Sequence, residues 1–171
     1  ANTHDFREYA SHIVKNASVL ASHCIDQGMD VQTGGTDNHL MLLNVSSFGL
    51  TGRQAESVLR EARITLNRNT VPFDPNGPWY TSGLRMGTPA LTTLGMGEKE
   101  MKEIANIIKT VLSNTKPVEI TAGKRIGDIS RVRHTTNPGV LQDAQLQVGE
   151  LVRRFPVYPK LDLEYLQRAF T

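Results

Sequence analysis

Two long amphipathic segments constrain the fold of this 171-residue chain more than any other feature. Apolar side chains recur at three- and four-residue spacing from about His4 to Gln27, and again from Gly97 to Asn114. This spacing predicts two helices, each burying one stripe of side chains. The chain also contains four short runs typical of β-strands: 31–33, 39–45, 64–66 and 81–86.

Two further helices complete the predicted order of elements. Thr51 and Gln54 have the spacing of a capping box and predict a helix that starts after Thr51. A last helix is predicted over about Val140 to Arg154. The order α-β-β-α-β-β-α-α indicates one α+β domain, with a small, mostly antiparallel sheet and helices packed on one of its faces.

The composition favours a cytoplasmic protein. Hydrophobic residues make up 39% of the chain and charged residues 21%, as in ordinary globular proteins. No run approaches the roughly 20 apolar residues of a membrane span, and Cys24 is the single cysteine. The charged N-terminus, which includes His4 and Asp5, does not fit a signal peptide. The chain begins with Ala1 and enters a helix at once, so we interpret it as a piece of a longer protein.

A basic segment with no apolar period covers residues 117–139 and predicts a flexible loop. Its cationic side chains could bind nucleic acid, but it has no interleaved aromatic residues and matches no nucleic-acid-binding motif. A solvated loop is therefore favoured, and no nucleic-acid partner is expected.

Two other groups of residues have a chemical and a structural interpretation. His23 and Cys24 could ligate a metal, but adjacent helical residues point about 100° apart and no second cysteine exists, so no metal site is expected. Asp37, Asn38 and His39 could act as an acid–base cluster. A buried turn network that satisfies backbone groups is favoured for them.

Arg85 is the strongest candidate for a binding residue. It lies in the segment "TSGLRMGTPALTT", residues 81–93, between Gly83 and Gly87. A guanidinium can bind a carboxylate through two parallel hydrogen bonds, and flanking glycines would let a ligand approach, with Thr81, Ser82 and Thr88 as polar supports. The alternative is an internal salt bridge to an Asp or Glu, and the residues alone do not decide between the two.

Three long motifs resemble the C-terminal part of serine hydroxymethyltransferase. They are "GGTDNHLMLLNV" (34–45), "GLTGRQAESVLREARITLNRNTVPFDP" (49–75) and "SGLRMGTPALTTLGMGEKEMKEIA" (82–105), and "RRFPVY" (153–158) is similar to the family's ending. The resemblance is close over residues 1–116. It is weaker over 117–139, which we interpret as an insertion, and over 160–171, a C-terminal tail. Residues 1–171 are thus identified as the small domain of that family.

This resemblance implies a transferase of the fold-type I class that depends on pyridoxal phosphate. The family interconverts serine and glycine with tetrahydrofolate, a reaction of one-carbon metabolism and glycine biosynthesis, and it forms homodimers or dimers of dimers. In the family's motifs, the position of Arg85 binds the substrate carboxylate and that of Asn69 lies near the folate. The segment Gly77-Pro78-Trp79 corresponds to a further folate contact and keeps an aromatic residue where the family usually has Ser-Pro-Phe.

The family's cofactor-binding residues have no counterpart in this sequence. None of its lysines has the Thr- and His-rich context of the cofactor lysine, and the stacking His and the ring-binding Asp are also missing. We therefore expect no catalytic residue in this chain, no bound pyridoxal phosphate and no activity without the large domain. The alternative is a stand-alone α+β module that holds a small carboxylate at Arg85 without catalysis.

Overall fold

The computed structural model describes residues 2–159, 165 and 168. Within them, six α-helices are formed: α1 His4–Asp26, α2 Gly52–Glu61, α3 Gly77–Tyr80, α4 Pro89–Thr93, α5 Glu98–Ser113 and α6 Pro138–Arg154. The strands are β1 Asp30–Val31, β2 Leu40–Asn44, β3 Asn67–Asn69, β4 Gly83–Gly87, β5 Thr115–Glu119 and β6 Ile129–Thr136. Short 3₁₀ turns cover Gln32–Gly34 and Ser46–Phe48.

A four-stranded sheet in the order β1-β2-β4-β3 is the centre of the fold, and every pair in it is antiparallel. Alternate residues of β2 and β4 are buried on one face of the sheet: Met41, Leu43, Leu84 and Met86. Helices α1, α2, α5 and α6 contribute buried residues to the same core cluster. The predicted α+β fold, with an antiparallel sheet and helices on one face, is confirmed.

Helices α1 and α5 pack against each other across the core. Leu20 and Cys24 of α1 and Ile108 of α5 are almost fully buried. At the rim of this contact, the amide of Gln27 donates to the Asn106 Oδ1 at 2.6 Å. Burial raises the pKa of the Cys24 thiol to about 12, so this cysteine is uncharged and unreactive at neutral pH.

The capping box of α2 is present as predicted. The Gln54 backbone N–H donates to the Thr51 Oγ1 at 3.2 Å, and the Thr51 N–H donates to the Gln54 Oε1 at 2.9 Å. This arrangement satisfies two backbone donors at the start of the helix.

The predicted strand at 64–66 is wrong by three residues. The pairing with β4 involves Asn67–Asn69, while Ile64 and Leu66 lead into that strand and pack partly buried against the core. The apolar residues marked the buried approach to the strand, whereas the hydrogen-bonded edge strand is polar. The short helices α3 and α4 were also not predicted.

The segment 117–139 contains regular structure that the sequence did not predict. Strands β5 and β6 form a separate antiparallel hairpin, with a register shift between Pro117 and Glu119. The hairpin is anchored on α2, because the buried amide of Gln54 donates to the carbonyls of Ser130 at 2.7 Å and Arg133 at 2.8 Å. The prediction of a loop without secondary structure is therefore wrong, although the prediction that this segment is an insertion stays untested.

In the described part of the chain, no helix is long and apolar enough to cross a membrane. The predicted C-terminal tail, 160–171, lies outside the described residues apart from 165 and 168.

Candidate functional site

The face of the sheet opposite the core carries Arg85. This residue pairs with Leu42 on β2 and with Asn67 on β3, and directly opposed residues of antiparallel strands point to the same face. Its neighbours Leu84 and Met86 point into the core, whereas Arg85 is exposed. The alternation of β4 therefore places the guanidinium on the exposed face of the sheet, here called the open face, beside the partly buried Leu42.

Asn67 holds Arg85 through a single hydrogen bond. The Arg85 Nε donates to the Asn67 Oδ1 at 3.3 Å, and the two terminal nitrogens of Arg85 donate to no other described residue. Nor does Arg85 form an ion pair with any Asp or Glu between residues 2 and 159. In the described structure, the internal salt bridge is thus absent, and the two-donor edge of Arg85 is free.

The flanking glycines have a packing role that the sequence did not predict. A Cβ at Gly83 would lie 2.7 Å from the Val71 Cγ1 and 2.8 Å from the Asn69 carbonyl oxygen. A Cβ at Gly87 would lie 3.1 Å from the His39 carbonyl oxygen. Close packing of the protein on itself accounts for a glycine at both positions, while the prediction that they also clear space for a ligand stays a prediction.

The nearby hydroxyls also serve the fold. Thr81, Ser82 and Thr88 are buried, and the Thr88 Oγ1 donates to the Ile13 carbonyl at 2.8 Å. The Ser82 Oγ donates to the Asp74 Oδ1 at 2.6 Å. These side chains connect β4 to α1 and to the preceding loop, and they are not polar supports for a ligand at Arg85.

Asp74 organises the loop that precedes β4. Its carboxylate accepts hydrogen bonds from the backbone N–H groups of Val71, Asn76 and Ser82 and from the Ser82 hydroxyl. Burial by itself raises the pKa of Asp74, but these hydrogen bonds, led by that of the Ser82 hydroxyl, outweigh it and hold the pKa below its usual value. The charged carboxylate therefore stabilises the loop.

The predicted folate residues are distributed over two places. Asn69 shares the open face with Arg85, since it pairs with Gly83 on β4. Gly77, Pro78 and Trp79 belong to α3. The Trp79 ring lies beside the guanidinium groups of Arg53 and Arg68, at 5.0 and 5.9 Å from the ring centre. Because Arg68 is paired with the buried Leu84, it extends from the opposite side of β3 to Asn69.

The other candidates have structural roles in the described part of the chain. His23 contacts the Asn106 Oδ1 at 3.1 Å, and no three His, Cys, Asp or Glu side chains there are grouped to hold a metal ion. The Asn38 Oδ1 accepts from the Leu40 N–H at 2.9 Å. This is the predicted turn network around residues 37–39, but it is exposed and not buried.

Sequence reasoning missed two residues of this region, Asn67 and Asp74. Asn67 precedes Asn69 by two residues, so a strand assigned to 67–69 would have placed both on one face. Asp74 stands between Pro72 and Pro75, where an Asp is a common turn-forming residue.

Comparison with known proteins identifies the chain. Residues 1–108, more than half of its length, match the family model described as serine hydroxymethyltransferase. The chain belongs to the serine hydroxymethyltransferase family. It is 52% identical over 167 residues to the serine hydroxymethyltransferase of Treponema pallidum strain Nichols, and 47% identical over 167 residues to that of Chlamydia caviae. A third relative with the same name, from Chlamydia trachomatis serovar D, is 46% identical over 169 residues.

These serine hydroxymethyltransferases are much longer than the chain. The matches cover 97% of the chain but only 28% of the Treponema protein and 33% of each Chlamydia protein. The chain thus spans about a third of the length of the curated relatives that it matches.

Proposed function

We propose that this chain is the part of a serine hydroxymethyltransferase that binds the carboxylate of serine or glycine and contributes to the folate site. The remainder of the enzyme supplies the cofactor site and the chemistry, and the complete protein assembles as a homodimer or a dimer of such dimers. Family membership supports the class of reaction, and the open face of the sheet supports the division of roles.

The free edge of Arg85 carries this proposal. An exposed arginine on a rigid central strand, steadied by Asn67 and without an acidic partner in residues 2–159, can donate hydrogen bonds to both oxygens of a carboxylate. Because β4 pairs with strands on both sides, the backbone that carries the Arg85 side chain is held in place. Such fixed placement of a substrate group lowers the entropic cost of reaching the reactive geometry.

Asn69 and Trp79 are the residues of this chain proposed to contact the folate. Asn69 shares the open face with Arg85, and its side-chain amide donates to the adjacent Thr70 carbonyl at 2.7 Å, which leaves its Oδ1 available as an acceptor. Trp79 is 61% exposed, with the adjoining Gly77 and Pro78 fixing the start of its helical turn. An exposed aromatic ring can stack against a planar heterocycle.

The described residues of this chain do not provide the buried lysine that a pyridoxal phosphate site needs. The cofactor supplies carbanion stabilisation in such enzymes and requires a desolvated lysine to hold it. None of the lysines in residues 2–159 is buried, and Lys15 is engaged by Glu98 at 2.6 Å. Cofactor binding is therefore assigned to the remainder of the enzyme.

A chimera tests the proposal. This chain would replace the matching segment of the Treponema pallidum relative, and glycine would be titrated by the change in cofactor absorbance. In Arg85→Lys the charge is kept but the two-donor fork is lost. The loss of about 1.5–3 kcal/mol should weaken glycine binding by roughly ten- to a hundred-fold. Arg153→Lys on α6 is the matched control and should have no effect.

Each result has a definite meaning. Weaker glycine binding with unchanged cofactor content supports Arg85 as the residue that binds the substrate carboxylate, here called the clamp. Unchanged glycine affinity in Arg85→Lys would exclude Arg85 as the clamp, and a chimera that binds cofactor but neither binds glycine nor cleaves serine would overturn the proposed function.

A further inference from the structure

Phe73 is exposed to an extent that an apolar side chain seldom shows. Its exposed fraction is 103%, as large as in an extended peptide, and it exceeds that of every other large apolar residue that the structure describes. Two residues earlier, Val71 is buried and packs close to Gly83. The loop of residues 71–82 thus directs one apolar side chain into the domain and the other into solvent.

This exposure is not the result of a loose loop. The two ends of the 71–82 loop meet at the carboxylate of Asp74, which accepts from the Val71 N–H at 3.2 Å and the Ser82 N–H at 2.7 Å. Inside the loop, the Asn76 amide donates to the Ser82 hydroxyl at 2.9 Å, and Arg131 of the hairpin donates to Asn76. Compact loops closed in this way are frequently functional.

The backbone at Phe73 is also strained. Its φ is 56°, in the left-handed region that a bulky side chain avoids. Strain of this kind persists where the surrounding structure enforces it, and it concentrates at functional sites. Here the Asp74 hydrogen bonds enforce a conformation whose visible effect is to point a phenyl ring outward.

We propose that Phe73 is an anchor that inserts into the part of the serine hydroxymethyltransferase polypeptide lying outside this chain. The inference rests on the proposed function, because it assigns the partner to the same enzyme. About two thirds of the relatives' length lies outside the match, which is enough protein to cover this surface. The loop also continues directly from β3, whose Asn67 and Asn69 line the open face, so one partner can cover both. Buried aromatic anchors of this type dominate interface energetics.

Thiol accessibility tests the anchor directly. Cys24 is fully buried and its pKa is raised to about 12, so a newly introduced cysteine would be the single reactive thiol in the chain. Phe73→Cys would be alkylated with iodoacetamide at pH 8, once in the isolated chain and once in the Treponema chimera. Leu146→Cys, at a position 61% exposed on α6, is the matched control.

We expect alkylation of Phe73→Cys to be at least ten-fold slower in the chimera than in the isolated chain, with the rate at Leu146→Cys changed by less than two-fold. Equal rates at Phe73→Cys in the two proteins would overturn the anchor. This outcome is separate from the test of Arg85, since a chimera that binds glycine but leaves Phe73→Cys accessible would retain the proposed function without the anchor.

Discussion

Asn67 and Arg85 stand directly opposite each other on β3 and β4, and the Asn67 Oδ1 accepts the Nε of Arg85 at 3.3 Å. A neutral acceptor at this place orients the guanidinium without consuming its charge. The pair therefore leaves the arginine both fixed and available to an incoming carboxylate.

Substitutions of Asn67 should show how much the orientation of the Arg85 guanidinium, as distinct from its charge, contributes to glycine binding. In the chimera, Asn67→Ala removes the acceptor, and glycine affinity should fall by about three- to ten-fold, the value of one hydrogen bond. Asn67→Asp should weaken glycine binding further, because the new carboxylate would pair with Arg85 and compete with the substrate. Glycine titration measures both, and equal affinities in the three proteins would show that Asn67 does not position Arg85.

Gly83 should tolerate no side chain. In Gly83→Ala the new methyl group would overlap Val71 and the Asn69 carbonyl, and we expect a loss of about 1–3 kcal/mol in the free energy of unfolding. Gly149→Ala is the matched control, since nothing lies within 4 Å of its Cβ position inside α6. This control should gain about 0.5–1 kcal/mol from helix propensity. Urea unfolding of the isolated chain checks both, and an unfolding free energy unchanged in Gly83→Ala would show that packing does not require a glycine here.

Asp74 should make the stability of the chain depend on pH in the acid range. Since the pKa of Asp74 is lowered in the folded state, its contribution is complete above the unfolded-state pKa, near 4, and is lost as the pH falls through the folded-state value. Asp74→Asn should cost about 1–3 kcal/mol at pH 7 and flatten the dependence below roughly pH 4. Thermal unfolding from pH 2 to 7 tests this. Asp143→Asn, at an exposed site on α6, should leave the profile unchanged.

Trypsin should cleave the β5–β6 hairpin at its tip. Lys124 and Arg125 are exposed between the strands, and we expect the first cuts there. Arg131 should be protected, because its carbonyl accepts from the Thr51 hydroxyl at 2.9 Å and its guanidinium lies 4.2 Å from the centre of the Tyr80 ring. Mass spectrometry of early digestion products identifies the sites. Early cleavage after Arg131 would show that the hairpin is not held on α2.

The elements that the sequence predicted correctly are those with local signals. Helices α1 and α5 have long apolar stripes, and α2 has its capping box, so periodicity and caps located them. The β5–β6 hairpin was missed because few of its side chains are buried, and because Gln54, which anchors it, is far away in sequence. No pattern within 117–139 could reveal that contact.

In the candidate site, too, the sequence predicted the residue with a local signal and not the roles that depend on distant segments. Arg85 stood out because its chemistry differs from that of its neighbours, whereas the roles of Gly83, Gly87 and Ser82 depend on atoms of other segments. A glycine beside an arginine looks the same in sequence whether it admits a ligand or a neighbouring strand. The register of β3 and β4 was needed to tell these cases apart.

The packing of α1 on α5 has a consequence for synthesis on the ribosome. His23 and Asn106, which meet at the rim of that contact, are 83 residues apart in the chain. At about 5–20 residues per second, α1 emerges roughly 4–17 s before the helix that covers it. During this interval the stripe containing Leu20 and Cys24 lacks the face of α5 that covers it in the folded domain. The contact between α1 and α5 is thus completed only late in the synthesis of this segment, and until then part of the apolar stripe of α1 stays uncovered.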